Sequence, residues 1–291
     1  MAATSSKLRS PLKWHGGKSY LARRILALAP PTRAFAEHYA GGMSVGLNLG
    51  PVRSQLANDL DPDLMGFWDR LRSADGGELL DAIRSTSYSA STFEGALGRA
   101  GDPLAFLVRN RMSRGGLGRT FAWSERTRGG RPGDLNAWET FKDELPRVVA
   151  RLASIELTCR DALASIRAFD AEHGAGAVHY CDPPYLPSTR TQPKAYAREM
   201  TADDHREMLA TLGEVRGMVL LSGYRSPLYD AELAGWHRVE WDLPNHSGQG
   251  HVKQRRVECL WSNRPFSREC VRRPIAETIL SKGGGMLRSC R

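Results

Sequence analysis

A chain of 291 residues with 41% hydrophobic content can bury a sizeable core, as one large α/β domain or as a core with an inserted subdomain. Its formal net charge of +9 favours an anionic partner, nucleic acid before others, and says nothing of fold. Cysteines at 159, 181, 259, 270 and 290 form no C-x-x-C pair, which argues against a disulfide framework or zinc site and for a reducing cytoplasm; no apolar run approaches a membrane span, and "MAATSSKLRS" lacks the apolar centre of a signal peptide.

In chain order, residues 1–12 read as a loose arm. "KSYLARRILALAP" predicts a helix from the apolar spacing of Leu21, Ile25 and Leu28, stopped by Pro30 and Pro31. "AFAEHY" predicts a strand, followed by a Gly-rich turn and a helix over "MSVGLNL". "SQLAND" predicts a second strand, and "DPDLMGFWDRLRS" a helix with an Asp cap and Pro62 in its first turn. This order opens a parallel, doubly wound sheet. From about Ser73 two helical stretches, "FEGALGRA" and "PLAFLVRN", lead into an Arg/Gly segment at 109–131 and a helix over "LNAWETFKDELPRVVARLAS". Strands resume with "IELTC", "GAVHYC", "GMVLLSG", "HRVEWDL" and "VECLWSN". Residues 74–153 therefore read as an insertion between two halves, 1–73 and 154–263, of one α/β core, with 264–291 as a basic, weakly structured tail.

Four segments carry chemistry. "KWHGGKS" (13–19) lacks the Gly at position 12 that a nucleoside-triphosphate loop requires, since Leu12 stands there. It reads either as a turn with Trp14 buried, or as a loop closing over a ligand with Lys18 as the charged contact and Trp14 as an apolar wall. In "AEHYAGGMSVGLNL" (36–49), Gly41 and Gly42 sit between strand and helix, where a ligand approaches backbone closely. Asp59 then ends the second strand, where doubly wound folds bond ribose hydroxyls; the competing role is a helix cap shared with Asp61. In "HYCDPPYLP" (179–187) Pro183 and Pro184 end a buried strand and leave Asp182 and Tyr185 on a stiff turn at its carboxyl end. In open α/β sheets, ligands bind there. Residues 109–131 hold seven arginines (109, 111, 114, 119, 126, 128, 131) against one acid, Glu125, interleaved with Gly, Phe121 and Trp123. That composition suits phosphate contact, guanine reading or stacking, or else a solvated loop.

"KWHGGK", "AEHYAGGMSV", "LANDLDP" and "CDPPY", in this order and spacing, resemble the Dam-like D12 (alpha-group) class of DNA adenine-N6 methyltransferases, in particular bacteriophage-type members, over most of residues 11–263. Where the family's glycine motif often reads E-P-F-x-G-x-G, this chain has His38, Tyr39 and Met43 in place of Pro, Phe and the second Gly. The resemblance implies a Rossmann-like S-adenosylmethionine-dependent core with a mixed, mostly parallel sheet and an inserted, mainly helical recognition subdomain. It implies S-adenosyl-L-methionine held by Trp14, Lys18, Glu37, Gly41, Gly42, Ser44, Asp59, Asp161 and Asp182. Asp161 could reach the cofactor adenine or cap a helix.

The implied chemistry accounts for the D-P-P-Y turn. The adenine amino nitrogen is a poor nucleophile because its lone pair is delocalised. Asp182 and the Pro183 carbonyl can accept its two hydrogens, the Pro183–Pro184 pair holding that carbonyl rigid, and Tyr185 can stack on the extruded base. No metal is required, because the sulfonium is already activated. Arg111, Arg114, Arg119, Arg126 and Tyr196 are the expected contacts to double-stranded DNA, and "HVKQRR" a surface loop touching phosphates. The expected assembly is a monomer or weak dimer, with no membrane partner. Cytosine-N4 or RNA amino methylation, and a non-catalytic DNA-binding protein on the same fold, stand as alternatives.

Overall fold

The computed structural model describes residues 7–73, 76–128, 130–190, 199–244 and 255–267. In chain order the elements are α1 (Ala22–Leu28), β1 (Ala34–Glu37), β2 (Ser54–Asp59), α2 (Pro62–Arg72), α3 (Gly76–Ser85), α4 (Ala90–Ala96) and α5 (Pro103–Arg111). A short hairpin, β3 (Thr127–Arg128) and β4 (Arg131–Pro132), precedes α6 (Gly133–Leu152). There follow β5 (Glu156–Cys159), α7 (Ala162–His173), β6 (Ala177–Cys181), α8 (Ala202–Glu214), β7 (Met218–Gly223), α9 (Pro227–Glu232), β8 (His237–Pro244) and β9 (Arg255–Ser262).

Seven strands form one sheet in the order β5-β2-β1-β6-β7-β9-β8. β5, β2, β1, β6 and β7 pair in parallel, and β9 runs antiparallel to both of its neighbours. This is the mixed, mostly parallel α/β sheet expected. Strand order reverses between β1 and β6, the place where such sheets open a crevice for ligands.

Alternation along the central strands buries both faces. Val178, Tyr180, Met218, Leu220 and Leu260 pack with Ile25 and Leu28 of α1, while Cys181, Val219, Leu221, Cys259 and Trp261 pack with Ile166 of α7 and Met208 and Leu212 of α8. The helices α2 to α6 have no separate core. Their Trp68, Leu79, Phe93, Leu107 and Trp138 share one apolar cluster with Leu12, Met43 and Ala57 of the N-terminal part.

Three expectations change. Residues 7–12 are not a loose arm: Leu8 exchanges hydrogen bonds with the Asn48 amide (3.0 and 2.9 Å) and Leu12 is buried. "MSVGLNL" holds only a 3-10 turn, Gly46–Asn48. Met43 sits at φ +53°, and Gly46 lies so close to Glu37 that a Cβ would meet its carboxylate at 2.6 Å. The Gly46 N–H donates to the Glu37 carboxylate at 2.8 Å, and its C=O accepts from the Gln55 side chain at 2.9 Å as well as from Leu49 N at 3.3 Å, which closes a single 3-10 turn. Finally, α3, α7, α8 and α9 lie where the sequence reading placed no helix. Of the basic tail, residues 268–291 lie outside the described residues; Ser267 N donates to Leu28 O at 3.1 Å. Among the described residues no helix is long and apolar enough to cross a membrane.

Candidate active site

A cavity of about 960 Å³ opens at the carboxyl ends of β1, β2, β5 and β6, against the switch point. Each strand end contributes a carboxylate: Glu37, Asp59, Asp161 and Asp182. The loop 14–18 forms one wall with Trp14 and Lys18, Gly42 and Ser44 another, and Arg119 with Leu117 reaches the rim from the Arg/Gly segment. Gly41 is not on the wall itself. Its N–H donates to Asp59 Oδ2 at 2.9 Å, and its close approach to Trp14 forbids a side chain, because a Cβ would fall 2.3 Å from the indole nitrogen.

The acids have different duties. Asp61, not Asp59, caps α2, accepting from the Asp63 and Leu64 amides. Asp59 instead accepts from Gly41 N and from Asp61 N (3.1 Å). Asp161 caps α7 through Ala164 N at 3.0 Å while also facing the cavity. Glu37 is buried, and burial pushes its carboxyl up to about 8 against the lowering effect of the Gly46 amide.

β6 ends at Cys181 and Asp182 follows it, one residue before the two prolines that stop the strand. Lys18 is its partner: Nζ lies 2.7 Å from Oδ1 and donates to Oδ2 at 2.9 Å and to Gly16 O at 2.8 Å. Behind it stands Glu258 of β9, 3.6 Å from the same ammonium and accepting the Tyr185 hydroxyl. Burial pulls Lys18 down, but the Asp182 and Glu258 carboxylates outweigh it and hold the ammonium well above its usual range. Asp182 is pushed up by burial, with Lys18 opposing. Pro184 reaches the cavity; Pro183 and Tyr185 are buried off its wall. The Tyr185 ring sits edge-on to Tyr224 (centroids 4.7 Å apart) with Lys18 Nζ 4.8 Å from its centroid.

The expected DNA contacts divide. Arg114, Arg119 and Arg126 are exposed. Arg111 is turned inward: it is 9% exposed, donates to Ala137 O at 2.7 Å and lies 4.3 Å from the Phe141 ring centroid. Its guanidinium braces α5 against α6 and faces no solvent. Burial pulls it down to about 10. Tyr196 and residues 251–254 of "HVKQRR" lie outside the described residues.

Two groups escaped the sequence reading. Glu258 was legible only as an acid inside an otherwise apolar strand. Asn110 ties the loops together: its Oδ1 accepts from Lys13 N at 2.8 Å, and its Nδ2 donates to Lys13 O at 3.0 Å and Gly116 O at 3.2 Å. It looked like one more polar residue of the Arg/Gly segment.

The family model for D12 class N6 adenine-specific DNA methyltransferases matches residues 14–94, which hold the lysine loop, the glycine turn and Asp59. The chain is 29% identical over 202 residues to a DNA N-6-adenine-methyltransferase of Escherichia phage P1. That match covers 63% of this chain and 25% of the phage protein, so the chain spans about a quarter of that relative's length. It is 28% identical over 229 residues to a DNA adenine methylase of Vibrio cholerae serotype O1, covering 72% of this chain and 76% of that one. Among solved structures, a SAM-dependent methyltransferase from Agrobacterium tumefaciens aligns with TM-score 0.36 at 12% identity, over 84% of this chain and 59% of that chain.

Proposed function

We propose that this chain is a D12-class N6 adenine-specific DNA methyltransferase and moves a methyl group from S-adenosylmethionine to the exocyclic N6 of adenine in DNA. The observation that carries the reading is the Asp182 carboxylate on a proline-stiffened turn, facing a cavity whose other strand ends present Glu37, Asp59 and Asp161.

The donor set suits the cofactor. A cavity of about 960 Å³ has room for a drug-sized ligand and a base beside it. Asp59 stands where the second strand of a doubly wound sheet accepts ribose hydroxyls, and each of its oxygens keeps a lone pair beyond the backbone bond it accepts. In this reading Asp161, which faces the cavity, takes the cofactor adenine. Trp14, Gly42 and Ser44 line the remaining wall. When bound, the cofactor supplies a methyl on a sulfonium, an activated leaving group that becomes a neutral thioether.

The chain's own task is to make N6 nucleophilic and hold it in line. Asp182 accepts an N6 hydrogen, which turns the lone pair from the ring toward the methyl; the Pro183 carbonyl, expected to take the other, lies back from the cavity wall, so it is Asp182 that carries this role. As the N–CH3 bond forms and the S–CH3 bond breaks, N6 gives up one proton, to the Asp182 carboxylate or to water. A base inside a duplex cannot reach this turn, so the adenine is extruded. Residues 74–153 supply target recognition, with Arg114, Arg119 and Arg126 on the phosphates or base edges.

The test is transfer of labelled methyl from S-adenosylmethionine to duplex DNA, with the modified base identified. N6-methyladenine supports the reading. Methylated cytosine or RNA moves it to another amino acceptor, and cofactor binding without transfer leaves a DNA-binding protein.

A further inference from the structure

The pair Lys18–Asp182 raises a difficulty for the reaction. Lys18 Nζ approaches both oxygens of the carboxylate, at 2.7 and 2.9 Å. Oδ2 accepts the lysine's hydrogen bond and Oδ1 accepts none, so what the ammonium takes from an arriving amino group is the carboxylate's charge rather than its last lone pair. Lys18 is 4% exposed, so the ammonium cannot simply be released to water. A buried cation stripped of its partner costs several kcal/mol.

The structure holds a second acceptor. Glu258 Oε1 lies 3.6 Å from Lys18 Nζ, less than 1 Å farther than the nearer Asp182 oxygen. Glu258 is itself buried, on β9, and does not line the cavity, whereas Asp182 does. The lysine therefore has one acid in front, on the substrate side, and one behind. The Tyr185 hydroxyl fixes the rear carboxylate in place. Gly16 O, at 2.8 Å, can hold the ammonium throughout the movement. Two buried acids sharing one cation is an arrangement a static ion pair does not need; a cation that must change partners does.

Resting on the methyl-transfer reading above, we propose that Glu258 is a positioning residue that draws the Lys18 ammonium off Asp182 when the substrate amine arrives. In the resting enzyme Lys18 offsets part of the burial that disfavours the Asp182 charge. A displacement of about 1 Å toward Glu258 frees that charge for the amine without stranding the ammonium. Glu258 never touches the base.

A double-mutant cycle tests this in single-turnover methyl transfer with labelled cofactor. Glu258→Gln keeps the shape and an acceptor for Tyr185 but removes the charge. It should slow transfer tenfold or more, with calorimetric cofactor affinity within about twofold of the parent. In a Lys18→Met background the same change should no longer slow transfer, because no cation needs a second home. A parent-like rate in Glu258→Gln, an equal slowing in both backgrounds, or complete loss of transfer in Lys18→Met would each overturn the proposal. A thermal melt of every variant separates these from misfolding. If Glu258→Gln does not fold, Glu258→Asp carries the same cycle: its oxygens retreat from Lys18, and the slowing must again depend on the lysine. Absence of transfer in the parent defeats the functional reading instead.

Discussion

Asp182 has two neighbours that pull in opposite senses, an apolar surround that disfavours its charge and a lysine that restores it. Asp182→Ala removes a transition-state acceptor and should cost about 3 kcal/mol or more, roughly a hundredfold in rate, while cofactor binding persists. Near-parental single-turnover transfer would remove the assigned role. Asp59→Ala should do the reverse, weakening cofactor affinity by about 1.5–3 kcal/mol with little effect on rate at saturation; equal calorimetric affinities would leave Asp59 as a brace for Gly41 alone. Met43 occupies the left-handed region where the family's motif has glycine, yet its side chain is fully buried. Relief of about 1–2 kcal/mol of backbone strain competes with a loss of about 2–5 kcal/mol of packing, so Met43→Gly should lower the urea midpoint. A raised midpoint would mean strain dominates. Asp182 and Asp59 were legible because each sits in a local motif at a strand end, and Lys18 because it closes a Gly-Gly loop before α1. Glu258 was not, because its partners come from segments 73 and more residues away and only the sheet order brings them together.

At the scale of elements, α5 and the turn after it connect the exposed arginines to the lysine loop. Gly116 has φ +77°, and a Cβ there would lie 1.9 Å from Lys13 O, whereas Gly115, at φ +65°, has nothing closer than 4.0 Å. Both alanine variants carry backbone strain of about 1 kcal/mol or more, but only Gly116→Ala must also break the Asn110 clamp. It should unfold at clearly lower urea and bind DNA more weakly than Gly115→Ala; matching behaviour would show that the clamp carries no energy. On α8, His205 is buried against the Tyr229 hydroxyl at 3.0 Å, and burial pulls it down to about 4. An unfolded imidazole titrates near 6.5, so as pH falls the unfolded state takes up a proton first and stability drops. Relative to His205→Asn, the parent should lose about 1–2 kcal/mol between pH 7.5 and pH 5, read from denaturant midpoints. A constant difference would mean the ring titrates in the fold as it does in the unfolded chain. Strands β1, β2 and β5 to β9 were legible from short apolar runs bounded by turn residues. The helix expected at "MSVGLNL" was not there, because Glu37 and Gln55, outside the local window, compete for its backbone. α8 had a readable start, the Thr201/Asp204 capping box, but its apolar stripe is broken by charged residues.

Across the whole molecule, the charge of +9 is displayed partly on residues 109–131, where Arg114, Arg119 and Arg126 are exposed and Arg119 reaches the cavity. Replacing Arg119 with Ala should flatten the salt dependence of DNA binding by about one unit in log–log slope, if it meets a phosphate. If it instead reads a base edge, the change appears as relaxed preference at one position, by about 1–3 kcal/mol. Unchanged affinity, slope and preference on cognate and scrambled duplexes would place recognition elsewhere. The antiparallel β9 also bears on how the chain folds as it is made. It is the last of the described strands to leave the ribosome, yet it must enter between β7 and β8, which are made earlier. Until it does, one edge of β7 is unpaired, β8 has no neighbour, and Lys18 lacks its rear acid. A nascent chain can therefore build most of the crevice early, but its buried lysine gains a second acid only when residues 255–262 emerge.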